Sequence, residues 1–169
     1  PADAAFGLFP GPRFANLPGN EPQESDVTTA QQTARATIQA YYDAFNAGNT
    51  EAMGDCLHED FVHHVNEGQV RMGKAAFAEF CAHMSRCYKE ELTDMVLFST
   101  EGGSRAAAEF IVNGTYLATD EGLPEAKGQT YRLPGGSFFE LKDGKISRVT
   151  TYYNLADWLA QVSGGTAAA

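Results

Sequence analysis

The sequence predicts an α+β domain in which three N-terminal helices pack on a strongly curved, mainly antiparallel sheet. Three observations predict it. Apolar residues recur at helical spacing in the first half of the chain, at Ala34, Ile38, Tyr41, Tyr42 and Phe45 and again at Phe77, Phe80, Cys81, Met84 and Tyr88. Long β-branched and aromatic runs follow one another from Leu92 onward, and helices first with a meander afterwards is an α+β pattern. The pair Asp143-Gly144 joins two of those runs, and Asp-Gly is a strong hairpin signal because both central residues of such a turn take φ > 0.

Residues 1–27 contain five of the seven prolines and no periodicity, so an extended arm is expected there, with Phe6, Leu8, Phe9, Phe14 and Leu17 lying on its own domain or on a partner subunit. The domain proper is expected over 28–163. Its first helix spans 28–47 and stops at Gly48. Thr50 caps a short second helix carrying Met53, Cys56 and Leu57. A strand covers 61–65, and a third helix runs from Gly73 to about Lys89. Strands follow over 92–100, after which Gly102-Gly103 turns the chain, and over 105–116, where Glu109 faces outward among alanines. A loop over 119–128 leads into the hairpin. If Asp143 and Gly144 are its turn, Leu141 faces Ile146, Phe139 faces Arg148 and Phe138 faces Val149, so both faces are apolar and both are expected to be covered. Pro134-Gly135-Gly136 predicts a bulge or sharp bend. A short helix over 154–162 closes the domain, and 164–169 form a small-residue tail.

A chain of 169 residues suits one domain, which buries roughly 70% of its unfolded surface. The formal charge of -10 argues against nucleic acid and anionic membrane surfaces, which require clustered Lys and Arg. Cys56, Cys81 and Cys87 make an odd set without a Cys-x-x-Cys pair, which suits a reducing compartment. No apolar run approaches a membrane span, and the N-terminal residues lack the basic region of a leader, so the expected location is cytoplasmic.

The candidate chemistry lies with histidine and tyrosine. His63 and His64 are adjacent on a strand and point to opposite faces, so they do not chelate jointly, and no metal site is expected. Phe61, His63 and Val65 share one face. A pocket imidazole can move protons near neutral pH, and a phenol in an apolar pocket can hold a developing enolate. No phosphate loop, nucleophile elbow or paired-carboxylate motif is present.

The run Ala40-Tyr-Tyr-Asp-Ala-Phe-Asn-Ala-Gly-Asn49, then His58-Glu-Asp-Phe-Val62, Gly73 opening a helix, and Phe138-Phe-Glu-Leu-Lys-Asp-Gly-Lys-Ile146 resemble, in order and spacing, the nuclear transport factor 2-like superfamily. Within it the likeness is to the SnoaL-like group of ketosteroid isomerases and polyketide cyclases, over residues 31–162. The resemblance implies a cone of helices around a curved mixed sheet, a deep apolar pocket, a homodimer, and no metal or organic cofactor. It puts the isomerases' oxyanion tyrosine at Tyr41. Their general-base aspartate falls at Val65, and their second oxyanion donor at Ser137 or, with a bulge, Gly136. The cyclases' histidine falls at Tyr116. Both family carboxylates are therefore replaced. The resulting expectation is an enzyme that transfers a proton on a small apolar carbonyl or hydroxyl compound. Tyr41, His63, Tyr116 and Ser137 are its catalytic candidates, and Phe45, Phe61, Val65, Tyr131, Phe139, Tyr153 and Trp158 line the ligand site. A non-catalytic carrier of an apolar ligand is the alternative.

Overall fold

The computed structural model describes residues 28–66 and 68–164; the expected arm and all but the first residue of the expected tail lie outside them. The elements are helices α1 (Thr29–Asn46), α2 (Thr50–Asp55), α3 (Gly73–Cys87) and α4 (Leu155–Val162), with strands β1 (Leu57–Val65), β2 (Arg71–Met72), β3 (Tyr88–Ser99), β4 (Arg105–Tyr116), β5 (Thr130–Lys142) and β6 (Lys145–Tyr153). The strands form one sheet in the order β2-β1-β6-β5-β4-β3. Only the β1–β6 pair is parallel among the described strands. Four helices on a mixed sheet that curls without closing make the expected α+β cone.

Local chemistry explains the boundaries. Thr28 caps α1 through a capping box, accepting from the Gln31 amide while the Gln31 side chain accepts from the Thr28 amide. The cap of α2 is Asn49 and not Thr50: the Asn49 side chain accepts from the Ala52 amide, and a carboxamide oxygen caps as well as a hydroxyl. At its other end α1 is clamped to β3, where Asn46 donates to the Leu92 carbonyl at 2.9 Å and accepts from its amide at 2.8 Å. This contact orients the helix over the sheet.

Three sequence expectations are corrected here. Helix α3 ends at Cys87, and Tyr88 opens β3, because pairing of Tyr88 with Tyr116 and Lys89 with Thr115 claims those residues for the sheet. The Pro134–Gly136 stretch carries no register shift: β4–β5 pairing runs unbroken through Ile111↔Pro134, Phe110↔Gly135 and Glu109↔Gly136. Gly135 lies against the Phe110 ring, where a Cβ would come within 2.9 Å of Cε2, so close packing and not a bulge explains the glycine. The hairpin irregularity falls elsewhere. Asp143 and Gly144 do turn at positive φ and Leu141 does face Ile146, but the register shifts between Leu141 and Glu140. Glu140 then faces Arg148, Phe139 faces Val149 and Phe138 faces Thr150. The Ser147 hydroxyl, donating to the Glu140 carbonyl at 3.2 Å, sits in the resulting bulge.

That shift sorts the aromatic residues. Phe139 and Val149 are buried in the main core with Ile38, Tyr41, Tyr42, Phe61, Phe77 and Ile146. Phe138 stands on the opposite face and is 55% exposed, with Phe98, Val96 and Tyr152 exposed as well. The outer face of the hairpin is therefore apolar but uncovered within the described chain. Glu109 lies exposed on that face, as alternation predicts. A second core, Tyr116, Tyr131, Leu133, Trp158 and Val162, seats α4 against the sheet.

Candidate active site

Between α1, α3 and the concave side of the sheet lies a cavity of about 770 Å³, within the range of small-molecule sites. Its walls are mostly aromatic and aliphatic. Helix α1 contributes Tyr41, Tyr42 and Phe45; β1 contributes His63 and Val65; α3 contributes Phe77, Phe80 and Cys81. The lining also includes Tyr88, Glu90, Asp120, Tyr131, Tyr153 and Trp158. Seven of the sequence-predicted residues therefore converge on this space: Tyr41, Phe45, His63, Val65, Tyr131, Tyr153 and Trp158.

Four do not line it. Phe61 and Phe139 are buried in the core behind the wall. Ser137 is buried too, and its hydroxyl is engaged with Thr151 at 2.8 Å. Tyr116 has no exposed surface; its hydroxyl accepts from the Asp120 amide at 2.7 Å, and its ring stacks on Tyr88. The position is occupied in holding the loop after β4.

Alternation on β1 places His63 inward and leaves His64 on the other face, only partly buried. The His63 ring lies among Phe61, Phe77 and Phe80, and its Nδ1 is buried without a hydrogen-bond partner. Burial, then the Arg71 and His64 charges, push its pKa down to about 4. The imidazole is thus neutral at neutral pH, with one ring nitrogen buried and unsatisfied. Its lowered pKa also makes stability fall with acid. Between pH 6.5 and about 4 the unfolded chain binds a proton at this position that the folded chain refuses, so stability present above 6.5 is lost as pH falls. The loss amounts to about 3 kcal/mol by pH 4. Urea unfolding across that range is expected to show this slope in the wild type and to lack it in His63→Phe, whose ring suits the aromatic surroundings.

Tyr41 is buried, its pKa raised well above the phenol range first by burial and then by Tyr42, Cys81 and Cys56. It stays protonated and can donate. Tyr42 is held up likewise by burial, and its hydroxyl, near Ser137, is buried without a hydrogen bond. Cys81 is pushed up to about 11 by burial and so is a thiol, not a nucleophilic thiolate.

The pocket also contains a carboxylate that sequence reasoning missed. Glu90 on β3 faces the cavity, and Tyr131 donates to its Oε1 at 2.6 Å. Burial raises the Glu90 pKa, the Tyr131 hydrogen bond opposing it, and Tyr131 is itself pushed up by burial and by the Glu90 charge. Gly114 lies opposite Tyr131 across the β4–β5 ladder, and a Cβ there would collide with the Tyr131 ring. The ring therefore lies over Gly114 and reaches β3. The signal for Glu90 was the alternation Tyr88, Glu90, Leu92 against Lys89 and Glu91, hidden when residues 88–89 are assigned to a helix. A second carboxylate, Asp120, behaves oppositely. Burial raises its pKa, but hydrogen bonds from His83, Tyr88 and the Glu121 amide outweigh that and hold it below the usual range. The two lining carboxylates are thus driven apart, the pattern that separates proton-transfer roles in enzymes.

The sequence profile of the SnoaL-like domain matches residues 38–149, the stretch that supplies most of this pocket. The chain belongs to the SnoaL-like family. The chain is also similar to solved structures. A proposed polyketide cyclase from Silicibacter sp. TM1040 is 68% identical, with a TM-score of 0.76 over 78% of this chain and 96% of that one. Another, from Xanthomonas campestris pv. campestris, is 51% identical, with a TM-score of 0.77 over 79% and 99% of the two chains. A Catenulispora acidiphila protein with a ketosteroid isomerase-like fold is 19% identical, with a TM-score of 0.63 over 78% and 94%, and shows the shared fold alone. No curated protein matches the chain. Among the described residues no helix is long and apolar enough to cross a membrane.

Proposed function

We propose that this SnoaL-like protein is an enzyme that moves a proton on a small, largely apolar carbonyl or hydroxyl compound, as an isomerase, cyclase or dehydratase. The observation that carries the reading is Glu90: a carboxylate with a raised pKa, aimed by Tyr131 into an apolar cavity. In this reading Glu90 removes the proton α to the substrate carbonyl. The protonated phenol of Tyr41 donates to the developing enolate oxygen, and neutral His63 binds a second polar group of the substrate. Return of the proton from Glu90 to another carbon gives isomerisation; attack of the enolate on a second carbonyl, whose oxygen takes that proton, gives ring closure; loss of a β-hydroxyl, which takes it and leaves as water, gives dehydration. Glu90 thereby supplies from β3 the carboxylate that the family's usual positions, Val65 and Ser137, lack. The names of the 68% and 51% identical relatives support chemistry of this class.

The test is α-proton exchange in D₂O with a panel of cyclic and polycyclic ketones, read by NMR on the protein and on Glu90→Gln. Deuterium incorporation that depends on Glu90 supports the reading. Saturable binding of the same ketones without exchange would instead make the protein a carrier.

The same reading includes a homodimer formed through the outer sheet face. Phe98 on β3, Ala107 on β4 and Phe138 on β5 are in register across three strands, and Tyr152 packs edge-on against Phe138. A second copy of this chain fits that surface, since a continuous apolar row exposed to water favours self-association. Phe138→Asp is expected to halve the mass seen in sedimentation velocity while leaving the circular dichroism unchanged; an unchanged mass would remove this face from the interface.

A further inference from the structure

The end of α3 and the loop after β4 bring together three side chains of metal-ligand type. We propose that His83, Cys87 and Asp120 form a site for one transition-metal ion of the zinc class. This inference is independent of the proton-transfer reading, because it concerns binding alone.

The His83 Nε2 lies 3.0 Å from Asp120 Oδ2 and 3.9 Å from Cys87 Sγ, and all three donor atoms fall within 4.8 Å of one another. Tetrahedral zinc, with bonds of about 2.3 Å to sulfur and about 2.0–2.1 Å to nitrogen and oxygen, requires donor separations of roughly 3.3–3.6 Å. The observed spacings bracket those values, so small side-chain rotations complete the triangle. His83 and Cys87 are four residues apart near the end of α3, which puts both on one helix face.

The backbones that present the ligands are fixed to one another. Both Leu117 and Ala118 amides donate to the Cys87 carbonyl, at 2.7 and 3.3 Å, tying the helix end to the loop. The Asp120 amide is held by the Tyr116 hydroxyl. The Glu121 amide engages Asp120 Oδ1, and Tyr88 donates to Oδ2 at 2.9 Å, which are the outer contacts that orient a ligating carboxylate. Thiolate, imidazole and carboxylate together suit zinc and its neighbours and not magnesium or calcium. Thiolate and carboxylate also neutralise a divalent ion. Three protein ligands leave a fourth position open, and Asp120 and Tyr88 both line the cavity.

One neighbour opposes binding. Arg86 Nη2 sits 3.5 Å from His83 Nδ1, which must carry the ring proton once Nε2 binds metal. Arg86 is exposed and can swing into solvent, but its charge and donor weaken the site.

The experiment titrates the reduced, chelator-treated chain with cobalt(II), following the thiolate-to-metal charge-transfer and tetrahedral ligand-field bands. One equivalent is expected to saturate both bands, and zinc to displace the cobalt. Cys87→Ser should abolish the charge-transfer band while Cys56→Ser and Cys81→Ser keep it. His83→Ala and Asp120→Asn should each weaken binding by more than roughly 10-fold, the least that even an outer contact costs. Arg86→Ala, a surface change that leaves the fold intact, should tighten it. Absence of the charge-transfer band, its survival in Cys87→Ser, or unchanged affinity in Arg86→Ala together with His83→Ala would overturn the site.

Discussion

Replacing Glu90 by glutamine is expected to cut the rate of proton exchange by roughly 10²- to 10⁴-fold, the range supplied by a positioned general base. The substitution is nearly isosteric. The carboxamide oxygen of the glutamine still accepts from Tyr131, so the hydrogen bond that orients the side chain survives while its basicity goes. Stability should not fall in parallel. The raised Glu90 pKa means that the folded chain holds this proton more tightly than the unfolded chain does. Any stability from that source is present below the ordinary glutamate pKa and is lost as pH rises through the folded value. Once ionised, the buried carboxylate is a cost to the folded chain, and Glu90→Gln removes it. A variant at least as stable as the wild type in urea at pH 7, yet slow in exchange, separates catalysis from folding. Full activity in Glu90→Gln would take the proton-transfer role from Glu90 and return it to His63.

The largest effect on stability is expected from Phe139→Ala. Phe139 is 1% exposed, lies edge-on to both Tyr41 and Tyr42, and pairs with Val149 across the hairpin. Truncation loses the burial of a whole ring and leaves a cavity under α1, a combination that costs about 3–5 kcal/mol. For a domain of this size that corresponds to a fall of roughly 6–20 °C in Tm. Calorimetry of the purified variant checks it. A fall of under about 2 °C would mean that α1 collapses onto the sheet and refills the space. Because Tyr41 and Tyr42 rest on this ring, ligand affinity is expected to drop even at temperatures where the variant is folded.

Much of this was legible in the chain itself. Periods of 3.6 and 2 named the helices and the long strands because burial on one face imposes those spacings regardless of what covers the face. Asp143-Gly144 named the turn because few other pairs tolerate positive φ twice. Alternation put His63 and Val65 on one face of β1 and His64 on the other, and only the structure decided that the His63 face turns inward. What the sequence could not supply depends on residues far apart in the chain. The two-residue strand β2 exists only because β1 is there to pair with Val62 and His63. The start of β3 at Tyr88 was set by its partner in β4, overriding a helix expected to run to about Lys89. That single boundary hid Glu90.

The sequence by itself thus determined the α+β class, the family, the hairpin turn and the aromatic helix face of Tyr41 and Phe45, all of which rest on local periodicity or on short motifs. Only the tertiary structure decided that Tyr116 and Ser137 satisfy internal hydrogen bonds and that Phe139 is core while Phe138 is surface. It also brought Glu90 under Tyr131, and His83 and Cys87 beside Asp120. Hydrogen bonds and carboxylate environments are properties of positions in space, and a strand register shifted by one residue at Ser147 changes every pair beyond it.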